Sequence, residues 1–334
     1  MPAERGGPVT LAVRGLSTVF ELSSGRLPAV RDLDLDIRQG EIVTVVGESG
    51  SGKSVTALSI MRLIQPPGRI EAGSVRLHDT ELLDLPPRAM QAVRGRRIGM
   101  IFQNPYAALH PYFRVGHQME ETLVLRTGLD RRRARTRAVG LLERIQVPSP
   151  ETVLHSFPFE ISAGVCQRVM LAMALCADPE LLIADEPTTN LDGLAQVEIL
   201  DLIKRMRDDL GMAVMLITHD FGVVSRMADS VLVMYAGRPV EYGPADAVMT
   251  DPEHPYTEGL VRSARTLVER RPRLDQIPGE VPDILDLPAG CSFAPRCPYA
   301  AGLCREDPPM MPGRDGRLAR CWRLDAVRWA EAGP

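Results

Sequence analysis

The spacing of apolar residues predicts β-strands that alternate with α-helices. Apolar and polar positions alternate between residues 9 and 46, which is typical of half-buried antiparallel strands, and residues 23–25 would join them. Short apolar runs predict further strands at 41–46, 73–77, 98–102, 181–184, 214–217 and 231–235. Helical spacing predicts helices at 54–63, 115–145, 165–177 and 195–210. This order predicts an α/β fold with a mostly parallel sheet, which binds its ligands at the carboxyl ends of strands.

A glycine-rich turn follows the predicted 41–46 strand and begins the next helix. It reads Gly47, Glu48, Ser49, Gly50, Ser51, Gly52, Lys53 and Ser54, a complete G-x-x-x-x-G-K-[ST] phosphate loop. The glycines allow a tight path that directs N–H groups at phosphate oxygens, and the amino terminus of the helix favours an anion. Lys53 would reach the terminal phosphates, and the Ser54 hydroxyl would bind Mg²⁺.

Two adjacent carboxylates end the 181–184 strand, which would lie beside the phosphate loop. We expect Asp185 to hold Mg²⁺, directly or through water, and Glu186 to polarise the attacking water. Gln103 follows the 98–102 strand and offers an amide oxygen to Mg²⁺ or to water, while His219 follows the 214–217 strand. Together with the phosphate loop, the carboxylates predict hydrolysis of ATP.

Composition and charge limit the classes of protein that fit this sequence. A chain of 334 residues predicts about two domains, and a net charge of −4 argues against mainly electrostatic nucleic-acid binding. The sequence contains neither an apolar run long enough to span a bilayer nor a secretory signal, so we expect a cytosolic protein. Disulfides are disfavoured there, and the six cysteines therefore need another explanation.

With these motifs and the segment 160–168, which contains Ser162 and Gly164, the sequence resembles the ATP-binding-cassette (ABC) ATPases. The resemblance implies a P-loop cassette over residues 1–246, with a mostly parallel sheet core, an antiparallel β subdomain and a helical subdomain at about 90–176. It also implies residue roles. Gln103 would sense the γ-phosphate and couple to a membrane subunit, and His219 would contact the γ-phosphate. Asn190, Leu191 and Asp192 would lie at a dimer interface, and Phe20 would stack on adenine.

The resemblance further implies a head-to-tail dimer in which Ser162 and Gly164 close over the ATP of the partner subunit. The usual family pattern is Leu-Ser-Gly-Gly followed by Gln or Met, whereas residues 161–165 read Ile-Ser-Ala-Gly-Val. Ala163 adds a methyl group where glycine allows close approach or a positive φ, and Val165 is shorter than the usual residue. We hypothesise that the ATP site completed by this segment is slow, while the site on the chain's own Lys53 and Glu186 stays competent.

The residues from about 247 onward resemble one particular group of ABC ATPases. His-Pro-Tyr-Thr at 254–257, Ile-Pro-Gly-Glu-Val-Pro at 277–282 and the cysteine motif that begins at 290 resemble the ATPase of dipeptide and oligopeptide importers. With the cassette motifs, this resemblance covers nearly the whole chain. Residues 247–334 would then be a carboxyl-terminal extension.

Four cysteines of this extension have the spacing C-x5-C-x6-C-x16-C: Cys291, Cys297, Cys304 and Cys321. Four thiolates without a histidine suit either Zn²⁺ or an iron–sulfur cluster. The resemblance implies a [4Fe-4S] cluster, because relatives bind one at these positions, and Zn²⁺ is the alternative. The other two cysteines, Cys166 and Cys176, are predicted to be core or surface residues.

The function implied by the resemblance is that of an ATP-hydrolysing, energy-coupling subunit of an importer for di- or oligopeptides or related small solutes. Its partners would be a second ATPase in a heterodimer, two membrane permeases and an extracytoplasmic solute-binding protein, without nucleic acid. It would act on the cytoplasmic face of the cell membrane. Two alternatives are a regulatory cassette with little hydrolysis and a soluble ABC ATPase that acts on nucleic acid or ribosomes.

Overall fold

The structure is a computed structural model that describes residues 7–189, 191–268 and 276–325. The chain forms two compact units. The first unit contains Met1–Ile37, Glu41–Leu83 and Thr218–Pro334, and the second contains Arg38–Gly40 and Asp84–Ile217.

The strands are β1 (Val9–Leu22), β2 (Gly25–Arg38), β3 (Ile42–Val46), β4 (Gly68–Leu77), β5 (Thr80–Glu81), β6 (Ile98–Ile101), β7 (Leu181–Asp185), β8 (Ala213–Ile217), β9 (Ser230–Tyr235), β10 (Arg238–Pro244), β11 (Met311–Pro312) and β12 (Leu318–Ala319). The α-helices are α1 (Lys53–Ile60), α2 (Pro87–Val93), α3 (Pro105–Ala108), α4 (Val115–Thr127), α5 (Arg131–Arg144), α6 (Pro150–His155), α7 (Ala163–Ala174), α8 (Gly193–Leu210), α9 (Phe221–Met227), α10 (Ala245–Thr250) and α11 (Pro255–Val268).

The first unit contains two groups of strands. An antiparallel sheet has the order β2-β1-β4-β5. The other strands run in the order β11-β12-β10-β9-β3, in which β3 and β9 are parallel and the remaining pairs are antiparallel. The strands near the carboxyl terminus therefore extend the same group of strands that carries β3 and the phosphate loop.

In the second unit, β8, β7 and β6 are parallel neighbours in that order. Every residue of these three strands is buried. Parallel strands covered on both faces read as continuous apolar runs, which explains why short apolar segments predicted them correctly.

The predicted 115–145 helix is two helices, α4 and α5. Gly128 ends α4 with a left-handed φ of 74°, a conformation that glycine adopts readily at helix ends. Asp130 then caps α5, because its side chain accepts a hydrogen bond from the Arg133 N–H. The break was therefore encoded in the sequence but was not recognised.

The carboxyl-terminal region also differs from expectation, because α11 was not predicted. Pro255 is its first residue, a position that tolerates proline since the first N–H of a helix has no intrahelical partner. Buried residues such as Tyr256, Val261 and Phe293 pack this region into an apolar core of the first unit. Among the described residues, no helix is both long enough and apolar enough to cross a membrane. The predicted limits at 246 and 247, and of the 90–176 subdomain, stay predictions.

Candidate functional site

The phosphate loop connects β3 to α1 in the first unit, and two of its glycines are required by contact. Gly47 has a φ of 153°, and a Cβ placed there would lie 2.2 Å from the Met234 carbonyl oxygen. Gly52 has a φ of 99°, and its Cβ would lie 2.4 Å from the Ala29 carbonyl oxygen. Neither position admits a side chain, so the backbone turn that the motif predicted depends on these residues.

The Lys53 side chain folds back over this loop. Its buried ammonium group donates hydrogen bonds to the carbonyl oxygens of Gly47 and Glu48, each at 2.9 Å, and lies 3.3 Å from Ser51 Oγ. Phosphate oxygens carry negative charge and bind an ammonium group more strongly than carbonyl oxygens do. The Lys53 ammonium group can therefore exchange its hydrogen bonds with the loop carbonyl oxygens for hydrogen bonds with a phosphate.

The other predicted residues of the first unit differ in their exposure to solvent. Ser49, Gly50 and Ser54 are exposed. His219 is exposed and follows Thr218, whose N–H donates to the carbonyl oxygen of Val45 on β3. Phe20 is half-buried, with its ring against Gly68, the residue opposite it on β4.

In the second unit, Glu186 follows β7 in a strained backbone conformation with a φ of 46°. Its N–H donates to the Ile217 carbonyl oxygen at 2.9 Å. Its Oε2 atom accepts two hydrogen bonds, one from Gln103 Nε2 at 2.8 Å and one from Thr189 Oγ1 at 2.9 Å. The structure thus brings the predicted residues Gln103 and Glu186 together. It also shows that Thr189, which the sequence analysis missed, contacts the Glu186 carboxylate.

Asp185 is the last residue of β7 and is buried. Asp192 caps α8, since its carboxylate accepts from the N–H groups of Leu194 and Ala195 at 3.1 and 3.0 Å. Asn190 lies outside the described residues.

The 161–165 segment forms the start of α7. Ser162 caps this helix, because its Oγ accepts from the Val165 N–H at 3.3 Å. Ala163 is the first helical residue, so the backbone there does not require the positive φ that glycine alone would favour. A Cβ on Gly164 would only just touch Ala195 within the same unit, at 4.0 Å. The glycine is therefore not imposed by packing within the chain.

The cysteines fall into two groups. Cys166 and Cys176 are buried core residues, and burial raises the pKa of each thiol to about 11. The four cysteines of the carboxyl-terminal region line one cavity together with His254 and Phe293. Burial, and then repulsion between neighbouring thiolates, raises the pKa of Cys297 to about 11 and that of Cys321 to about 12.

The shared cavity is not a formed metal site. Within the described ranges, no group of three or more His, Cys, Asp or Glu side chains is arranged to hold a metal ion. The geometry therefore does not support the predicted cluster or the zinc alternative, although the four thiols share one cavity.

Comparison with known proteins supplies the family. The family model described as "ABC transporter" matches residues 30–189, and the model described as "Oligopeptide/dipeptide transporter, C-terminal region" matches residues 240–304. A putative peptide import ATP-binding protein of Brucella abortus is 44% identical over 311 residues, which cover 93% of this chain and 94% of that protein. This chain belongs to the ABC transporter family. The oligopeptide transport ATP-binding protein OppD of Salmonella typhimurium is 43% identical, with 94% of each chain covered.

Solved ABC structures have the same fold. A dimeric ATP-binding cassette in a post-hydrolysis state, bound to ADP and Pi, is 25% identical with a TM-score of 0.64, covering 70% of this chain and 98% of that one. The cbiO1 protein of Clostridium perfringens, part of an ABC transporter complex, is 26% identical with a TM-score of 0.61, covering 72% and 90%.

These comparisons confirm the predicted family, the α/β P-loop cassette fold and the function. The chain is an ATP-hydrolysing, energy-coupling subunit of an ABC importer. Membership in this family implies ATP and Mg²⁺ as ligands, and permeases and a solute-binding protein as partners.

Proposed function

We propose that the imported solutes are di- or oligopeptides or related small molecules. We also propose that ATP is bound by the phosphate loop at 47–54 and hydrolysed with the help of Gln103, Glu186 and His219. The peptide-import names of relatives that match along nearly the whole chain support the first part. The hydrogen-bonded position of Glu186 carries the second part, because a base must be oriented before it can polarise water.

The proposed roles follow from the chemistry of each group. The loop amides and Lys53 bind the phosphates, and His219 contacts the γ-phosphate. Ser54, Gln103 and Asp185 supply a hydroxyl, an amide and a carboxylate oxygen, the ligand types that Mg²⁺ prefers. When bound, Mg²⁺ would neutralise charge on the phosphates.

Glu186 is the proposed general base. Gln103 and Thr189 restrict the rotation of its carboxylate through the two hydrogen bonds to Oε2. Phe20 is the proposed adenine contact, since its ring is only half-buried.

We place the permease contact on the second unit. Five large aromatic side chains of this unit are exposed: Phe102, Tyr106, Tyr112, Phe113 and Phe159. Aromatic residues are enriched in protein interfaces, and Gln103 follows one of them directly. Docking of the permeases at this surface would hold the chain on the cytoplasmic face of the membrane.

A heterodimer with a sister ATPase is part of the proposal, with Ser162, Gly164 and Asp192 at its interface. The exposed capping serine and the space beside Gly164 support this assignment. The altered residues Ala163 and Val165 favour a slow site in the partner, and a subunit with little hydrolysis is the second candidate function. Turnover of the dimer should rise with Ala163→Gly and Val165→Met, and an unchanged rate would refute the slow-site hypothesis.

We also propose a [4Fe-4S] cluster at Cys291, Cys297, Cys304 and Cys321, with Zn²⁺ as the alternative. The support is chemical. Four thiols line one cavity, and neighbouring cysteines contribute, after burial, to the raised pKa of Cys297 and of Cys321, so a cationic centre would relieve the repulsion between thiolates.

Reconstitution tests the proposed function. The chain, a second ATPase subunit and two permease subunits of the same importer would be placed in liposomes with its solute-binding protein. We expect ATP hydrolysis to rise when the binding protein carries a peptide, and to be lost with Lys53→Ala in this chain. If peptides of any length leave the rate unchanged while another solute stimulates it, the peptide assignment is wrong.

A further inference from the structure

An ion pair joins the carboxyl-terminal region to the phosphate loop. The Arg296 guanidinium contacts both carboxylate oxygens of Glu48, with Nη1–Oε2 at 2.8 Å and Nη2–Oε1 at 3.1 Å. The Arg296 side chain is only 4% exposed. A planar fork with two parallel hydrogen bonds fixes direction as well as distance, so the pair sets the position of the Glu48 side chain.

The backbone of Glu48 is held by the same region. Its N–H donates a 2.9 Å hydrogen bond to the hydroxyl oxygen of Tyr256, a fully buried residue of α11. The Glu48 carbonyl oxygen, in turn, accepts the hydrogen bond from Lys53. Glu48 is therefore fixed at its amide, its carbonyl and its carboxylate, and one of these contacts is with the phosphate-binding lysine.

Arg296 is itself rigidly supported. Its Nε donates to the Pro278 carbonyl oxygen at 3.0 Å. The guanidinium group lies near the rings of Tyr235 and Phe293, at 5.8 and 6.0 Å from their centroids. Contacts of this kind restrain the side chain before any ligand arrives.

Tyr256 is supported by the start of α11. The buried carboxylate of Glu241 on β10 accepts from the N–H groups of Glu253 and His254 at 2.8 and 2.9 Å. His254 Nδ1 accepts from the Tyr256 N–H at 3.0 Å, and the Tyr256 ring packs 4.6 Å from that of Tyr235. The hydroxyl that meets the phosphate loop is thus anchored to a strand of the same unit.

We propose that Arg296 and Tyr256 are positioning residues for ATP binding, which hold the phosphate loop in its nucleotide-binding conformation through Glu48. This inference rests on the proposed nucleotide site at residues 47–54. A loop that is already ordered loses less conformational entropy when it binds ATP than a mobile one does. The carboxyl-terminal region therefore tunes nucleotide affinity and leaves the hydrolytic group around Glu186 unchanged.

Arg296→Lys is the first test. An ammonium group cannot reproduce the two-pronged contact of a guanidinium group, so Glu48 should lose its fixed position. We expect the Kd for ATP to rise about five- to tenfold, with kcat changed by less than about twofold. A residue that only stabilised the fold would not weaken ATP binding while leaving kcat nearly unchanged.

Glu48→Gln removes the same ion pair from the loop side and tests the proposal even if Arg296→Lys does not fold. It should weaken ATP binding to a similar extent. The double variant should be no weaker than the worse single variant, because both changes break one interaction.

Arg320→Lys is the matched control. Arg320 is another buried arginine of the same region, directly before a cysteine as Arg296 is, and it donates to the carbonyl oxygens of Pro239 and Pro308. This variant should bind ATP as the wild type does. Circular dichroism would establish that each variant is folded.

The proposal is overturned if wild-type protein binds ATP and folded Arg296→Lys and Glu48→Gln bind it equally well. It is also overturned if the two effects multiply in the double variant, or if Arg320→Lys weakens binding as much as Arg296→Lys. Failure of the proposed function is a different result, because the wild-type protein itself would then not bind ATP.

Discussion

The side-chain amide of Gln103 donates a 2.8 Å hydrogen bond to the carboxylate of Glu186. The donor is the nitrogen of the amide, so the amide oxygen is a separate atom that can serve Mg²⁺ or water. One side chain can therefore orient the proposed base with its nitrogen and contribute to the proposed metal site with its oxygen. Thr189 makes the second contact with the same carboxylate oxygen.

Thr189→Val should slow hydrolysis without weakening ATP binding. The substitution keeps the shape of the side chain but removes the hydrogen bond that orients Glu186. A hydrogen bond to a charged group contributes about 1.5–3 kcal/mol, so we expect kcat to fall about 10- to 100-fold with KM unchanged.

Thr188→Val is the control, because the Thr188 hydroxyl accepts from Gln196 rather than contacting Glu186. Steady-state kinetics at saturating ATP would compare the two variants. Equal rates for Thr189→Val and the control would contradict a positioning role for Thr189.

Gly52→Ala and Gly50→Ala form a matched pair in the phosphate loop. Both glycines have a positive φ, which costs about 1–2 kcal/mol for alanine. Only at Gly52 does a Cβ also collide with a backbone carbonyl, whereas a Cβ on Gly50 meets no atom within 4 Å. We expect Gly52→Ala to abolish ATP binding and Gly50→Ala to retain it, as measured by equilibrium binding. Loss of binding in both variants to the same extent would mean that the close contact is not decisive.

The stability of the first unit should depend on pH through two buried groups. Burial raises the pKa of Glu241 from 4.5 to about 7 and lowers that of His254 from 6.5 to about 3. Between pH 4.5 and 6.5, the folded state keeps a proton on Glu241 that the unfolded state has released, so this group lowers stability as the pH rises. His254 has the opposite effect, because the unfolded state carries a proton there that the folded state lacks. The contributions oppose each other, each by at most about 1.4 kcal/mol per pH unit.

Glu241→Gln removes the first contribution alone. The free energy of unfolding of this variant should therefore rise with pH more steeply than that of the wild type between about pH 4.5 and 6.5. Urea unfolding at several pH values would measure it, with the exposed Glu280→Gln as the control. Parallel pH profiles for wild type and Glu241→Gln would show that this carboxyl titrates normally.

Metal analysis tests the cysteine cavity. Protein purified without oxygen should contain about four iron atoms per chain and matching acid-labile sulfide if the cluster is present. Cys321→Ala should lose both, whereas Cys176→Ala, which alters a buried cysteine of the second unit, should keep them. Zinc without iron would refute the cluster, and an absence of both metals would refute any metal at these cysteines.

The sequence predicted those parts of the fold and site whose signals are local. The phosphate loop occupies eight successive residues, and the buried parallel strands are short apolar runs, so neither requires knowledge of distant contacts. Thr189 was missed although it lies three residues after Glu186, because a threonine in a turn has many common roles. The contacts of Glu48 with Tyr256 and Arg296 join residues 208 and 248 positions apart, and no periodicity reports such a pairing. Helix α11 was missed because its neighbourhood is rich in proline and arginine.

Hydrolysis by the Glu186→Gln variant is the most direct test of the account. Glutamine preserves the size of the side chain but cannot act as a base, so the assembled complex should still bind ATP while turnover falls by at least about 100-fold. Single-turnover hydrolysis and ATP binding would be measured on the same preparation beside the wild type. If the variant turns over ATP at the wild-type rate, Glu186 is not the base and the proposed site is wrong.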